Sequence, residues 1–357
     1  MAALSAAPQA ALSRLRLSRG DAIRAGVIVV LVAIVMFVVP ALVSLFWVDT
    51  FTSTAIYSIV ALGLGLLVGR VGMFSLGQVA VLGLGGWVAA RLLFATSLPY
   101  PVVLVMAGLI TVVMGTAIGL PALRVSGLYL ALVTLMLAGA ITIVLSVTNF
   151  PNGAGGFLGY FNQPTGVPPA IRRPAIATSD PAFFRYTVMV ALAMFLLVLW
   201  HIRSKPGRAW AVIRQSEPAA LAAGVNVTLY KLWAFALASF VTGVAGGLLG
   251  SSAHVLYTYQ FPTQASIVLL AVVLMGGVYS LWGAVIAAIL LQTLPALFTV
   301  WNFPANLPTV LFGVGVLQVL TMAPRGLAYQ VPKDIANLGR LLLRLARRAA
   351  PAPERAP

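Results

Sequence analysis

Apolar runs separated by short polar linkers occupy most of this chain, and their length limits what it can fold into. We identify ten such runs in the 357 residues, at Gly26–Phe46, Phe51–Gly69, Met73–Ala95, Pro101–Leu120, Gly127–Val147, Phe183–Trp200, Leu229–Ser252, Ser266–Met275, Gly283–Val300 and Leu307–Met322. Most contain about 20 residues, the length that a helix needs to cross the hydrocarbon core of a bilayer. Only 8% of the residues are charged, and backbone in lipid must satisfy its own hydrogen bonds, which favours helices. The sequence therefore predicts an all-α, polytopic transmembrane helical bundle of about 8 to 10 membrane segments.

The positive charge of the chain, a net +16, indicates how these runs are oriented. If the amino terminus is inside, ten crossings leave four of the 22 lysine and arginine residues outside, namely Arg91, Arg172, Arg173 and Arg185. Because basic residues concentrate in cytoplasmic loops, this asymmetry predicts a multi-pass protein of the bacterial inner membrane with both termini in the cytoplasm. Topology and attraction to anionic lipid account for the charge without nucleic-acid binding.

Polar segments divide the chain into regions. We assign residues 1–25 to a basic cytoplasmic segment, 26–324 to a transmembrane domain and 325–357 to a basic cytoplasmic tail. In the tail, Lys333–Arg348 repeats leucine and arginine at helical spacing, which predicts an amphipathic helix on the membrane surface followed by a disordered end. The domain contains two long loops, residues 149–182 on the periplasmic side and residues 201–228 on the cytoplasmic side.

The cytoplasmic loop contains a short helix with defined ends. Ser216 is a suitable N-cap, Pro218 is tolerated in the first turn, and Gly224 provides a stop. The residues between them are mainly alanine, so we expect roughly two turns with small side chains that a partner can approach closely. An ordinary solvated loop is equally compatible with these residues.

A resemblance to a known family favours a short helix that contacts a partner over an ordinary solvated loop. Glu217, Ala219, Ala220 and Gly224 are similar to the E-x-A-A-x-x-x-G motif of permease subunits in ATP-binding-cassette importers. Most of the chain resembles the LivM type of branched-chain amino-acid permease, in the SLGQ, PALRVSGLYLALVTL, GGVYSLWGAV and APRGL stretches that begin at Ser75, Pro121, Gly276 and Ala323. The loop departs from the family at Gln215 and Leu221, where acidic residues are common.

This resemblance implies a transport subunit that depends on partners. It implies a second homologous permease, two cytoplasmic ATPase subunits that bind ATP and Mg²⁺, and a periplasmic substrate-binding protein that docks on the outer face. It assigns coupling to the ATPase to a set of residues in the cytoplasmic loop: Arg214, Ser216, Glu217, Ala219, Ala220 and Gly224. The implied cargo is leucine, isoleucine and valine, with urea or short-chain amides as the alternative in the same family.

Glycine-rich breaks in two of the runs indicate a translocation path. Ser75, Gly77 and Gln78 begin the third run, and Gly276 and Gly277 end the short eighth run. Interrupted or re-entrant helices offer backbone groups to a substrate in transporters, so we take these five residues as candidates. Gln78 either lines the path or only bridges helices. Glycines four apart, such as Gly243 with Gly247 and Gly246 with Gly250, favour close helix packing instead. Pro40 and Pro295 predict kinks.

The scarcity of reactive groups excludes several functions. The chain has six acidic residues, two histidines and no cysteine, and His201 and His254 are predicted on opposite sides of the bilayer, so we expect no catalytic site and no metal site. No lysine follows a glycine, so the chain lacks a phosphate-binding loop and holds no cofactor of its own. No carboxylate lies deep in a run, which argues against ion-coupled transport. A stand-alone facilitator or channel remains as an alternative, although it would not use the coupling motif.

Overall fold

The structure is a computed structural model that describes residues 19–122, 127–147, 171–304, 306–322 and 326–330. The chain divides into two compact units, Met1–Val48 and Asp49–Pro357. The predicted amphipathic helix at Lys333–Arg348 and residues 149–170 of the predicted periplasmic loop lie outside the described residues.

The smaller unit shows where the first predicted run ends. Helix α1 spans Arg19–Phe37 and is followed by the single turn α2, Val39–Leu42, with Pro40 in its first turn. The next helix, α3, already begins at Leu45, so the run predicted to continue as one kinked span to Phe46 is instead divided. Proline lacks a backbone N–H and disfavours helical geometry in the residue before it, which explains a new helix start at this point.

The larger unit is entirely helical in its regular elements, within the ranges that the structure describes. After α3 (Leu45–Gly65) and a π-helical segment (Leu66–Val71), the helices are α4 (Gln78–Ala95), α5 (Tyr100–Ala122), α6 (Leu128–Val147), α7 (Asp180–Arg203), α8 (Lys205–Gln215), α9 (Glu217–Ala222), α10 (Val227–Ala253), a 3₁₀ turn (Thr258–Gln260), α11 (Thr263–Gly276), α12 (Leu281–Ala288), a π-helical segment (Ile289–Thr293), α13 (Leu294–Val300) and α14 (Leu307–Met322). Residues 327–330 form one further helical turn.

The number of apolar helices agrees with the sequence. Seven helices in the described part of the chain are long and apolar enough to cross a membrane, and three shorter apolar helices accompany them, at Val30–Leu42, Thr263–Gly276 and Leu307–Gln318. The predicted all-α, polytopic helical bundle is therefore confirmed. Helix α11 has 14 residues and a length of about 21 Å, which is less than the roughly 30 Å of a hydrocarbon core.

Helix α10 lies at the centre of the larger unit and approaches its neighbours through glycine. A methyl group added at Gly246 would lie 2.2 Å from the carbonyl oxygen of Leu82 in α4, and one at Gly85 would lie 2.4 Å from the carbonyl oxygen of Gly243. At Gly247 the nearest atom, 2.7 Å away, belongs to Leu104 of α5. The predicted packing role is thus confirmed for Gly243, Gly246 and Gly247, because a larger side chain at any of them would collide with atoms of α4 or α5.

Two of the predicted helix breaks are present. Residues 72–77 are not helical, so the third run becomes a helix only at Gln78. In the ninth run, the π-helical segment Ile289–Thr293 ends two residues before Pro295, which occupies the first turn of α13. A π-helical turn shifts the hydrogen-bond pattern by one residue, and both π-helical turns and prolines are known causes of kinks in long helices.

Candidate functional site

The predicted coupling helix is present and begins as the sequence predicts. Helix α9 spans Glu217–Ala222, and the Ser216 hydroxyl accepts a hydrogen bond from the backbone N–H of Ala219 at 3.4 Å. Pro218 lies in the first turn, where its missing N–H removes no helical hydrogen bond. These residues fix the start of the helix by local chemistry alone.

The other end of α9 is closed by a Schellman motif. The N–H of Gly224 donates to the carbonyl of Leu221 at 3.0 Å, and the N–H of Val225 donates to the carbonyl of Ala220 at 2.9 Å. Gly224 has φ of +74°, a left-handed conformation that glycine adopts without strain. No atom lies within 4 Å of the position that a Cβ would occupy at Gly224. The turn is therefore defined by its backbone and faces open space.

Helix α9 is attached to the protein on one side and exposed on the other. Ala220 is fully buried, whereas the other five residues of the helix are exposed. Glu217 accepts a 2.6 Å hydrogen bond from the ammonium group of Lys231 in α10, whose side chain is only 9% exposed. The Glu217 side chain is 46% exposed, so the pair contributes about 1 kcal/mol or less to stability. The pair links α9 to α10. The pairing of Lys231 with the loop's only acid was not predicted from the sequence.

Helix α8 forms the support under α9. The Trp210 side chain is fully buried, and its indole N–H donates to the carbonyl oxygen of Tyr230 at 2.8 Å. Ala209 and Ile213 are buried on the same helix. A Cβ at Gly207 would lie 1.9 Å from the carbonyl oxygen of Ile202, so glycine permits the sharp turn from α7 into α8. This buried face was not predicted, although the helical spacing of Ala209, Trp210 and Ile213 is a signal that could have identified it.

Arg214, which the resemblance assigns to the ATPase contact, is bound to its own chain. Its guanidinium donates to the carbonyl oxygen of Gly69 at 2.6 Å and lies over the Tyr279 ring, 4.3 Å from the ring centroid. A charge above an aromatic face is held by the ring quadrupole. Arg214 therefore connects α8 to the end of the π-helical segment Leu66–Val71 and to the turn after α11.

The first group of predicted path residues surrounds one small cavity. The Gln78 amide oxygen accepts a 2.9 Å hydrogen bond from the Thr242 hydroxyl, and the backbone N–H of Leu76 donates to the Thr134 hydroxyl at 2.9 Å. Ser75 and Gln78 are buried. The cavity has a volume of about 20 Å³ and is lined by Ser75, Gly77, Gln78, Val81, Gly115, Thr134, Ala138, Ile141, Phe235 and Ser239. It has room for a single water molecule, and polar side chains of α4, α6 and α10 converge on it together with Ser75 of the non-helical residues 72–77.

Gly276 and Gly277, the second group of predicted path residues, do not line the cavity beside Gln78. They form a tight turn whose backbone contacts the backbone of other segments directly. A Cβ at Gly276 would lie 2.3 Å from the carbonyl oxygen of Gly283, and one at Gly326 would lie 2.3 Å from the Cα of Gly277. Gly277 has φ of +109°. The structure thus gives this pair a packing role, while their part in a translocation path stays a prediction, as it does for Ser75, Gly77 and Gln78.

The Gln78–Thr242 hydrogen bond provides a test of the polar cluster. Thr242→Val keeps the side-chain volume but leaves the buried amide oxygen without its donor, so we expect the free energy of unfolding to fall by about 1–3 kcal/mol. The measurement is denaturant unfolding of the purified protein in detergent. Thr111→Val is the matched control, because the equally buried Thr111 hydroxyl bonds only to Ala107 of its own helix. Equal losses in the two variants would contradict a bridging role for Gln78.

The described end of the predicted periplasmic loop is fixed to the far end of α10. The N–H of Ile171 donates to the carbonyl of His254 at 2.7 Å, and the Ser251 hydroxyl donates to the carbonyl of Arg172 at 3.1 Å. The Arg173 guanidinium forms a 2.5 Å ion pair with Asp180 at the start of α7. These residues therefore form an ordered connection between α7 and α10.

Arg91 differs from the other arginines that the sequence analysis assigned to the outer side. Its side chain lies within α4 and is fully buried. Charge counting assigns a residue to one side of the bilayer, but it does not distinguish a surface arginine from one enclosed by neighbouring helices.

Comparison with known proteins gives consistent matches over most of the chain. The sequence model of a family described as "Branched-chain amino acid transport system / permease component" matches residues 46–320. The high-affinity branched-chain amino acid transport system permease protein LivM of Salmonella typhimurium strain LT2 is 30% identical over 309 residues, which cover 81% of this chain and 71% of the relative. LivM of Escherichia coli strain K12 is 31% identical over 320 residues, covering 83% and 74%. No solved structure matches the chain significantly.

Proposed function

The chain belongs to the family of branched-chain amino acid transport system permease components, and on that premise we propose that it is the membrane permease subunit of an ATP-binding-cassette importer for leucine, isoleucine and valine. The match over residues 46–320 carries the assignment, and the names of both LivM relatives support the cargo. The apolar helices of the structure are consistent with a membrane permease.

We propose that separate subunits supply the energy. Two cytoplasmic ATPases would bind ATP and Mg²⁺, a second homologous permease would complete the pore, and a periplasmic binding protein would deliver the amino acid. The exposed face of α9 supports an ATPase contact, since Pro218, Ala219, Leu221 and Ala222 are all accessible there. The concentration of basic residues near α8 and α9 supports a cytoplasmic position for this face and an inner-membrane location with both termini inside.

The contacts of α9 suggest how ATPase movement reaches the pore. The Glu217–Lys231 pair and buried Ala220 hold α9 on α10, and the Trp210–Tyr230 hydrogen bond holds α8 on the same helix. A displacement of α9 therefore moves α10. Helix α10 contributes Thr242, Ser239 and Phe235 around the cavity beside Gln78, so the same movement changes the geometry of that cavity. Conformational gating of this kind requires no reactive group in the permease itself.

Transport by reconstituted vesicles tests the proposal. The permease is reconstituted with its partner permease, ATPase and binding protein, and uptake of labelled leucine is measured with and without ATP. We expect uptake against a gradient only when ATP and all subunits are present. Unlabelled isoleucine and valine should compete, whereas urea and acetamide should not. Absence of leucine uptake together with ATP-dependent uptake of labelled urea or acetamide would assign the cargo to the alternative, and leucine equilibration by the isolated permease would identify a facilitator.

A further inference from the structure

A basic cavity lies beside the predicted coupling helix α9. Its volume is about 520 Å³, and its walls include Arg70, Arg208 and Arg214 together with Trp210, Gln215 and Gly69. This volume is within the range of ligand-binding pockets. It is also much larger than the single-water cavity beside Gln78.

The charge of this cavity is not balanced by the described residues around it. Its walls contain three arginines and no acidic side chain. The acid nearest in sequence, Glu217, is paired with Lys231 of α10. Arginine does not lose its proton at physiological pH, so the three positive charges attract an anion.

The three arginines keep guanidinium N–H groups free to donate hydrogen bonds to a ligand in the cavity. Arg70 donates one hydrogen bond to the carbonyl of Tyr279 at 3.1 Å, and Arg214 donates one to the carbonyl of Gly69 at 2.6 Å. Each of these bonds uses one nitrogen of a group that has five N–H donors. Arg208 is exposed on α8 and forms no ion pair with any described residue. Two fixed guanidinium groups and one adjustable group favour a phosphate, which accepts several charge-assisted hydrogen bonds at once.

The position of the cavity indicates where that phosphate comes from. Arg70 lies in the last turn of the apolar span Leu45–Val71, and Ile202, also in the cavity wall, lies one residue before the end of the span Asp180–Arg203. The cavity is therefore at the depth where two apolar spans end, which is the level of lipid headgroups. Helix α8 provides Arg208 and Arg214 to the cavity wall. This short helix is held against the protein by the buried side chain of Trp210.

We propose that this cavity binds the phosphate of an anionic phospholipid headgroup. Basic pockets beside the ends of membrane helices are suited to such headgroups. The bound lipid would contact α8, the end of the π-helical segment Leu66–Val71 and, through Arg214, the turn that contains Tyr279. It would therefore stabilise one arrangement of these three segments next to α9.

Lipid binding to the full-length protein tests the proposal. The purified chain is titrated in neutral detergent with phosphatidylglycerol or phosphatidylcholine, and bound lipid is counted by native mass spectrometry. We expect preferential binding of phosphatidylglycerol, with an affinity that falls about fivefold in Arg208→Gln. Arg203→Gln is the matched control, because Arg203 is exposed at the end of α7 and does not line the cavity. Equal thermal unfolding of the variants and the natural chain shows that folding is unchanged.

Three results would overturn the proposal. The first is equal phosphatidylglycerol affinity in Arg208→Gln and Arg203→Gln. The second is binding of inorganic phosphate as tight as that of phosphatidylglycerol and equally sensitive to Arg208→Gln, which would identify a site for a soluble anion. The third is weaker association of Arg208→Gln with the ATPase subunit at unchanged lipid affinity, which would assign the cavity to an acidic protein side chain. None of these results depends on which amino acid the importer carries.

Discussion

We expect Glu217→Lys to abolish ATP-driven leucine uptake in the reconstituted importer while the protein remains inserted and folded. The substitution places a second ammonium group beside the nearly buried Lys231, whose Nζ lies 2.6 Å from the Glu217 carboxylate oxygen. It also reverses the only acidic charge on the exposed face of α9. The measurement is the initial rate of uptake in proteoliposomes, with the amount of inserted protein determined in the same vesicles.

The exchanged pair separates the two effects of this substitution. Glu217→Lys combined with Lys231→Glu restores opposite charges between α9 and α10. If the double variant regains uptake, the carboxylate acts by holding α9 in position. If uptake stays absent while the single and double variants are equally stable, the carboxylate contacts the ATPase directly. Uptake at the normal rate in Glu217→Lys would contradict coupling through α9.

The second large effect is expected at the contact between α4 and α10. Gly246→Leu adds a branched side chain where even a methyl group would lie 2.2 Å from the Leu82 carbonyl oxygen and 2.6 Å from the Gly86 nitrogen. These are backbone atoms, so the two helices must move apart to make room. We therefore expect the free energy of unfolding to fall by about 3 kcal/mol or more. Thermal unfolding and size-exclusion chromatography in detergent provide the measurement.

A glycine without neighbours serves as the control for this substitution. Gly313 lies in α14, and no atom is within 4 Å of its Cβ position. Gly313→Leu adds the same side chain to an apolar helix and should leave the unfolding temperature nearly unchanged. Equal losses in the two variants would show that helix flexibility, and not the approach of α4 to α10, makes glycine necessary at position 246.

Local features of this protein were predictable from the sequence, whereas contacts between distant segments were not. The length of the apolar runs predicted the helices, and Ser216, Pro218 and Gly224 predicted both ends of α9, because caps and stops depend on residues a few positions apart. The ion pair of Glu217 with Lys231 and the contacts of Arg214 with Gly69 and Tyr279 depend on how helices pack. No periodicity in one sequence reports such pairings.

The candidate path shows the same limit. A high glycine content identified both Gly77 and Gly277 as unusual positions, but it did not distinguish a residue beside a polar cavity from one in a backbone-to-backbone turn. The structure places Gly77 beside the cavity at Gln78 and packs Gly277 against Gly326. Glycine permits both arrangements because it has no side chain, so only the positions of the surrounding helices distinguish one arrangement from the other.

Helix α10 connects two faces of the larger unit that are about 40 Å apart, since it contains 27 residues. One end holds Lys231 beside α9, and the other end is bonded to Ile171 and Arg172 of the connection into α7. If this helix tilts, both ends move together. Thermodynamic linkage then requires reciprocity: a partner that favours one tilt by binding at the Ile171 end changes the affinity for a partner at the Lys231 end by the same factor as the second partner changes the affinity for the first.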